Sequence, residues 1–216
     1  MAPLIHSLLS LADQPPVSGA EPADAILCDA SSPALPDLDM PVFLRLPDDG
    51  EAVLRSLVRL GPAGVVLANC RTGADIQRLD VLLSVAEVEE GMPLGKTRIL
   101  ATTDGLLPLP FSESAFGRKS RRLAGLVWDW RLLATTLGAT RHRADGRWTD
   151  AFALARATTL LTAKASGIAA YDVASPLSEG DFATDCIGAR TDGFDGRLTD
   201  RPDQVAAINA AFRTWD

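Results

Sequence analysis

Eight short apolar runs recur along this chain, each followed by a helical or loop-like stretch, and few folds accept that rhythm. They occupy residues 4–11, 25–29, 42–46, 64–68, 98–104, 123–129, 168–173 and 196–200. Continuously apolar runs, unlike alternating ones, suit strands of a parallel sheet covered on both faces. Three helices stand out between them. Residues 74–90 place Ile76, Leu79, Leu82, Leu83 and Val85 on one broad face with acidic residues opposite. Residues 150–166 are rich in alanine and leucine, open after Thr149 and stop at Gly167. Residues 203–212 follow Pro202, which suits the first turn of a helix. Regions 12–24 and 30–41 are short and rich in proline, serine and aspartate, which predicts loops or single turns in place of the first two helices.

Eight strands alternating with helices in 216 residues predict one compact (β/α)8 TIM barrel over residues 1–216. A doubly wound open sheet shares the rhythm. No Gly-x-Gly-x-x-Gly turn follows the first strand, which removes the main reason to prefer a dinucleotide-binding sheet. In a barrel, function gathers where the strands end. The polar residues at those positions are Asp29, Arg45, Asn69, Asp104, Asp129, Asp172 and Asp200.

Charge and cysteine content narrow the class further. The net charge of −7 argues against a general nucleic-acid or anionic-membrane surface, though it leaves small anions open. Cys28, Cys70 and Cys186 are odd in number, widely spaced and without a Cys-x-x-Cys pair, so neither a zinc site nor a disulfide framework is indicated. Cys28 and Cys70 are expected to be buried free thiols. No apolar run reaches the ~18 residues of a membrane span. The N-terminus lacks the basic stretch of a secretion signal, so a cytoplasmic protein is expected. His6 and His142 are the only histidines, and no nucleophile-elbow pattern accompanies them. The basic run Arg118-Lys119-Ser120-Arg121-Arg122 is expected to be a solvated face. Trp128 and Trp130 should point to one side and Asp129 to the other.

Several segments, taken in order, resemble the citrate lyase β-subunit-like family of the HpcH/HpaI aldolases. The closing unit, from Gly193-Phe194-Asp195-Gly196-Arg197-Leu198-Thr199-Asp200-Arg201-Pro202 into the helix ending at Phe212, is similar to that family's last βα unit. Ala23-Asp24-Ala25-Ile26-Leu27-Cys28-Asp29, Leu44-Arg45-Leu46-Pro47 and Gly64-Val65-Val66-Leu67 resemble its second, third and fourth strands. The run from Leu82 to Gly91 looks like the helix leading to strand five, and Leu137-Gly138 matches the sixth unit.

The resemblance implies carbon–carbon lyase or aldolase chemistry on a carboxylated acyl-CoA thioester or keto acid, through an enolate and assisted by Mg²⁺. It implies that Arg45 stabilises the enolate charge and that Asp29 orients Arg45 or a water. It puts Asp104 where the family has its metal-binding glutamate, and Leu132 at the second ligand position, where leucine cannot ligate. Asp129 then either takes over as the second ligand or simply caps a loop. Arg45 is either an anion-binding residue or one half of a strand-end ion pair with Asp29 or Asp104. Arg131 replaces a family glutamate, Asn69 a basic residue after strand four, and Ser31 and Ser32 an acidic pair. The family usually continues past the position of Asp216 into a lid helix reaching a neighbouring subunit, so a barrel without that lid is expected as a departure from the family. A homo-oligomer or a partner subunit supplying the lid is the implied assembly. From a different class comes the alternative: a catalytically degenerate barrel that serves as a binding or interaction subunit.

Overall fold

The computed structural model describes residues 5–11, 21–30, 39–47, 53–108, 115–144 and 146–213. Ser31 and Ser32 lie outside them, as do Leu4 and most of the two proline-rich regions expected to replace the first helices. Eight parallel strands close into a barrel: β1 (Ser7–Leu11), β2 (Ala25–Asp29), β3 (Val42–Arg45), β4 (Gly64–Leu67), β5 (Arg98–Thr103), β6 (Leu123–Trp128), β9 (Ala169–Val173) and β10 (Gly196–Thr199). Each falls within one of the eight apolar runs. Closure pairs β1 with β10, Leu8 lying beside Leu198, and that pairing excludes the open doubly wound sheet. Outside the barrel stand α1 (Leu54–Arg59), α2 (Gly73–Glu89), α3 (Trp130–Leu137), α4 (Asp150–Ala165), α5 (Glu179–Asp192) and α6 (Val205–Arg213). A small antiparallel hairpin, β7 (Arg143–Ala144) with β8 (Arg147–Trp148), sits between α3 and α4. The last helix is preceded by a 3₁₀ turn over Pro202–Gln204, so the expected helix at 203–212 is split in two.

The strands are apolar on both faces because both are covered. Leu8, Leu27, Phe43, Val66, Leu100, Val127, Val173 and Leu198 fill the barrel interior as one cluster. Leu9, Ile26, Leu44, Val65, Ile99, Leu126 and Ala170 face the helices in a second, larger one. Two glycines make room for rings inside. A Cβ at Gly64 would lie 2.6 Å from the Phe43 ring, and one at Gly125 would lie 2.8 Å from Tyr171. The three cysteines are free and buried. Burial, and then the Asp75 carboxylate, push the Cys70 thiol far above its ordinary range.

The outer face also carries charge. Asp172 and Arg197 are register partners on β9 and β10, and both are fully buried. Arg197 Nε donates to Asp172 Oδ1 at 2.8 Å, and its NH1 reaches Asp185 of α5 at 2.8 Å. Arg156 of α4 meets the other Asp172 oxygen at 2.9 Å. Asp172 therefore corrects the expectation of a mouth residue: one position short of an inward-facing register, it pins two helices to the barrel. Arg122 corrects a second expectation. It leaves the solvated basic run and lies buried under α2, forked onto Glu87 at 2.7 and 2.8 Å.

Candidate active site at the barrel mouth

Strand parity decides which polar groups reach the mouth. Leu27 and Phe43 are register partners inside the barrel, so Asp29 and Arg45, two positions on, are partners above them. Arg45 Nε stands 3.3 Å from Asp29 Oδ1, and its NH2 donates to Ser10 Oγ at 3.4 Å. Of the two ion pairs open to Arg45, the barrel forms the one with Asp29. Both side chains remain partly exposed, so this is a pair a ligand can reach.

Asp104 follows β5 on the same inward parity as Leu100 and Thr102, and it is buried. Its Oδ1 accepts from the Leu106 backbone N–H at 3.0 Å. Its Oδ2 accepts from Arg71 NH2 at 2.7 Å and from the Thr136 hydroxyl of α3 at 3.2 Å. Local chemistry places Arg71. Asn69 takes a left-handed φ of 51° to turn the chain after β4, and Cys70 N–H bonds Thr102 O at 2.8 Å. Asp75 then accepts from the N–H groups of Arg71 and Thr72 at 3.1 and 2.8 Å, in a capping box that starts α2.

Asp129 is the N-cap of α3. Its Oδ1 accepts from the Arg131 backbone N–H at 3.0 Å and from Arg131 Nε at 2.9 Å, while Oδ2 accepts from NH2 at 2.8 Å. The fork is bidentate, the geometry in which a guanidinium grips a carboxylate most firmly. The Asp129 bond and charge raise the Arg131 pKa against the opposing effect of burial. Arg131 NH1 extends to Asp200 at 3.4 Å.

Trp128 and Trp130 share one apolar cluster, with Trp128 buried against Phe152 of α4. Trp130 has already entered α3, so strand periodicity ends at Trp128. The Trp130 ring stacks on His142, centroids 4.3 Å apart, and burial and then Arg143 lower the His142 pKa. A hollow of 250 Å³ opens beside the mouth, between the ends of β3 and β4 and α2, lined by Leu46, Pro47, Asn69 and Cys70 among others. A larger one of 730 Å³ has its walls on α5 and α6, away from the strand ends.

A divalent cation fits this mouth poorly. Both oxygens of Asp104 and of Asp129 already accept hydrogen bonds, and Leu132 brings no donor atom. Among the described residues no three histidine, cysteine, aspartate or glutamate side chains converge as a ligand set. What the mouth offers instead is guanidinium: Arg45, Arg71 and Arg131, all partly exposed and each tied to an aspartate. Arg45 was legible from the sequence. Arg71 was not, because nothing in its neighbourhood marks it apart from an ordinary surface arginine. No helix among the described residues is long and apolar enough to cross a membrane.

No protein-family model matches the chain. In sequence it is similar to the citrate lyase β subunit of Leuconostoc mesenteroides subsp. cremoris, with 27% identity over 161 residues, 74% of this chain. That match spans 52%, about half, of the relative's length. In fold it is similar to RipC from Yersinia pestis, with TM-score 0.70 and 23% identity, covering 96% of this chain and 94% of the other. It is also similar to CitE from Mycobacterium tuberculosis, solved with magnesium, acetoacetate and coenzyme A, with TM-score 0.66 and 20% identity over 88% and 73% of the two chains. The resemblance to the citrate lyase β-subunit-like family, first carried by short motifs, thus holds in both sequence and fold, at a divergent level.

Proposed function

We propose that this divergent relative of the citrate lyase β subunits is a carbon–carbon lyase of the aldolase type, acting at the barrel mouth on a small keto acid or a carboxylated acyl-CoA thioester. The observation that carries the reading is Arg45: inward-facing, partly exposed, and held by Asp29 at 3.3 Å in a mouth with two further arginines. Cleavage of a β-hydroxy acyl thioester removes the hydroxyl proton, turns that C–O bond into a carbonyl and breaks the adjacent carbon–carbon bond. The electron pair passes to the thioester fragment as an enolate, which then takes up a proton. Fixed positive charge at the enolate oxygen lowers the barrier, because it is in place before the charge develops. Arg45 supplies that charge and Asp29 fixes its orientation. Asp104 and Asp129, bound to arginines as they are, act in this reading by holding Arg71 and Arg131 toward the substrate's carboxylate.

The test is oxaloacetate release from citryl-CoA, followed with a coupled NADH assay in the presence of a chelator, beside calorimetric titration with oxaloacetate and pyruvate. Turnover that falls by about 100-fold or more in Arg45→Ala is the expected result. A second reading, a barrel that binds carboxylates without turning them over, is favoured by the arginines already bound to Asp104 and Asp129. It predicts heat from the keto acid but no product. No heat from either keto acid, together with no product, sinks both.

A further inference from the structure

We infer that this mouth has exchanged a divalent cation for two guanidinium groups, Arg71 on Asp104 and Arg131 on Asp129, and therefore binds its anionic ligand without metal. Mg²⁺ demands near-octahedral oxygen coordination at about 2.0–2.1 Å and sheds its water reluctantly. To enter here it would have to strip Arg71 and Thr136 from Asp104 Oδ2, and Arg131 from both oxygens of Asp129. Each aspartate would trade short charge-assisted bonds for an ion that the neighbouring Leu132 cannot help to hold.

The exchange is built into the backbone on both sides. Arg71 is aimed by the Asp75 bonds to its own N–H and that of Thr72, and Arg131 lies in the first turn of a helix whose N-cap is the very carboxylate it grips. Two guanidiniums bring the same formal charge as one divalent ion and keep donors within reach of a ligand: the Arg71 side chain is 55% exposed, and that of Arg131 41%, its NH1 making only a 3.4 Å contact with the exposed Asp200. The planar donor array of a guanidinium matches a planar, bidentate anion, so the ligand class is a small carboxylate with a second oxygen group, such as a 2-keto acid or a dicarboxylate. The inference deepens the lyase reading of the same mouth and rests on it only for the nature of the ligand.

The experiment separates the two. Mn²⁺ alone, titrated into the full chain and read by the loss of its free-ion paramagnetic resonance signal, is expected to stay free at millimolar concentration. The Arg71→Gln/Arg131→Gln variant, its fold checked by circular dichroism, is expected to gain Mn²⁺ affinity by about tenfold or more. Pyruvate in the presence of a chelator is expected to bind the native chain about tenfold more tightly than the half-exposed single variant Arg71→Gln, which serves if the double variant does not fold. Stoichiometric submillimolar Mn²⁺ binding to the native chain, abolished by Asp104→Asn, overturns the inference. So does pyruvate affinity that is unchanged in Arg71→Gln. A native chain that ignores both Mn²⁺ and pyruvate overturns the anion-binding part of the inference, and oxaloacetate release from citryl-CoA then decides the proposed function separately.

Discussion

Arginine and a carboxylate meet at both ends of this barrel, with opposite consequences. Below β6, Arg122 and Glu87 are buried together under α2, and Glu87 also accepts from the backbone N–H groups of Gly95 and Thr97 at 2.7 and 2.8 Å. At the mouth, Arg71 and Arg131 pair with carboxylates that are almost as buried, but the arginines themselves reach into solvent. A pair with no exposed donor can only hold the fold. A pair whose guanidinium keeps donors in water can hold its aspartate and still receive a ligand. Exposure of the cation, more than the pairing itself, separates structure from function here.

The sharpest way to break that comparison is Arg122→Ala. It leaves the Glu87 charge buried without its guanidinium, and should cost about 3–5 kcal/mol of stability in urea unfolding. A cost below about 1 kcal/mol would mean the lower pair behaves like a surface one.

Acid is the next probe. Burial by itself would raise the Glu87 carboxyl, but the Arg122 fork and then the backbone N–H bonds hold it down to about 2, against an ordinary 4.5. A carboxyl with a depressed folded pKa contributes stability that is complete above its unfolded value and is lost as pH falls toward the folded one. Unfolding free energy should therefore drop between about pH 5 and pH 2 by an amount on the order of 3 kcal/mol from this group, and Glu87→Gln should flatten that part of the curve. An unchanged slope in the variant would assign the acid sensitivity elsewhere.

The smallest effect is expected at the mouth. Arg71→Ala should shift stability by less than about 1 kcal/mol, since its guanidinium is half in water. The same change should weaken carboxylate binding. A large loss of stability there would make Arg71 a structural residue, and the contrast between the two ends would collapse.

Much of the scaffold was readable from local pattern. All eight strands fall within the apolar runs, and α2 and α4 start within a residue of where periodicity and capping put them. Asp29 and Arg45 were singled out as polar strand ends matching positions of the family they resemble, and the barrel register makes them neighbours. Asp172 shows the limit of that reading. As the last polar residue of its run it reads like a mouth group, yet a shift of one position along β9 turns it outward to Arg197 and Arg156. Arg122 shows another limit. Its basic neighbours make it look solvated, and only the approach of α2 supplies the Glu87 that draws it inside.

Strand count, helix periods, caps and the absence of a cysteine framework follow from residues a few positions apart, where backbone geometry and burial leave few options. Partnerships do not. Arg71 reaches Asp104 from 33 residues away, Arg122 reaches Glu87 from 35, and Arg197 meets Asp172 from 25. Each depends on barrel register and closure, which bring together strands and helices that the chain itself keeps apart. The chain by itself therefore specified a barrel with Arg45 and several aspartates at its strand ends. Only the closed barrel decided which arginine holds which aspartate, because a charge takes the partner that packing sets within reach.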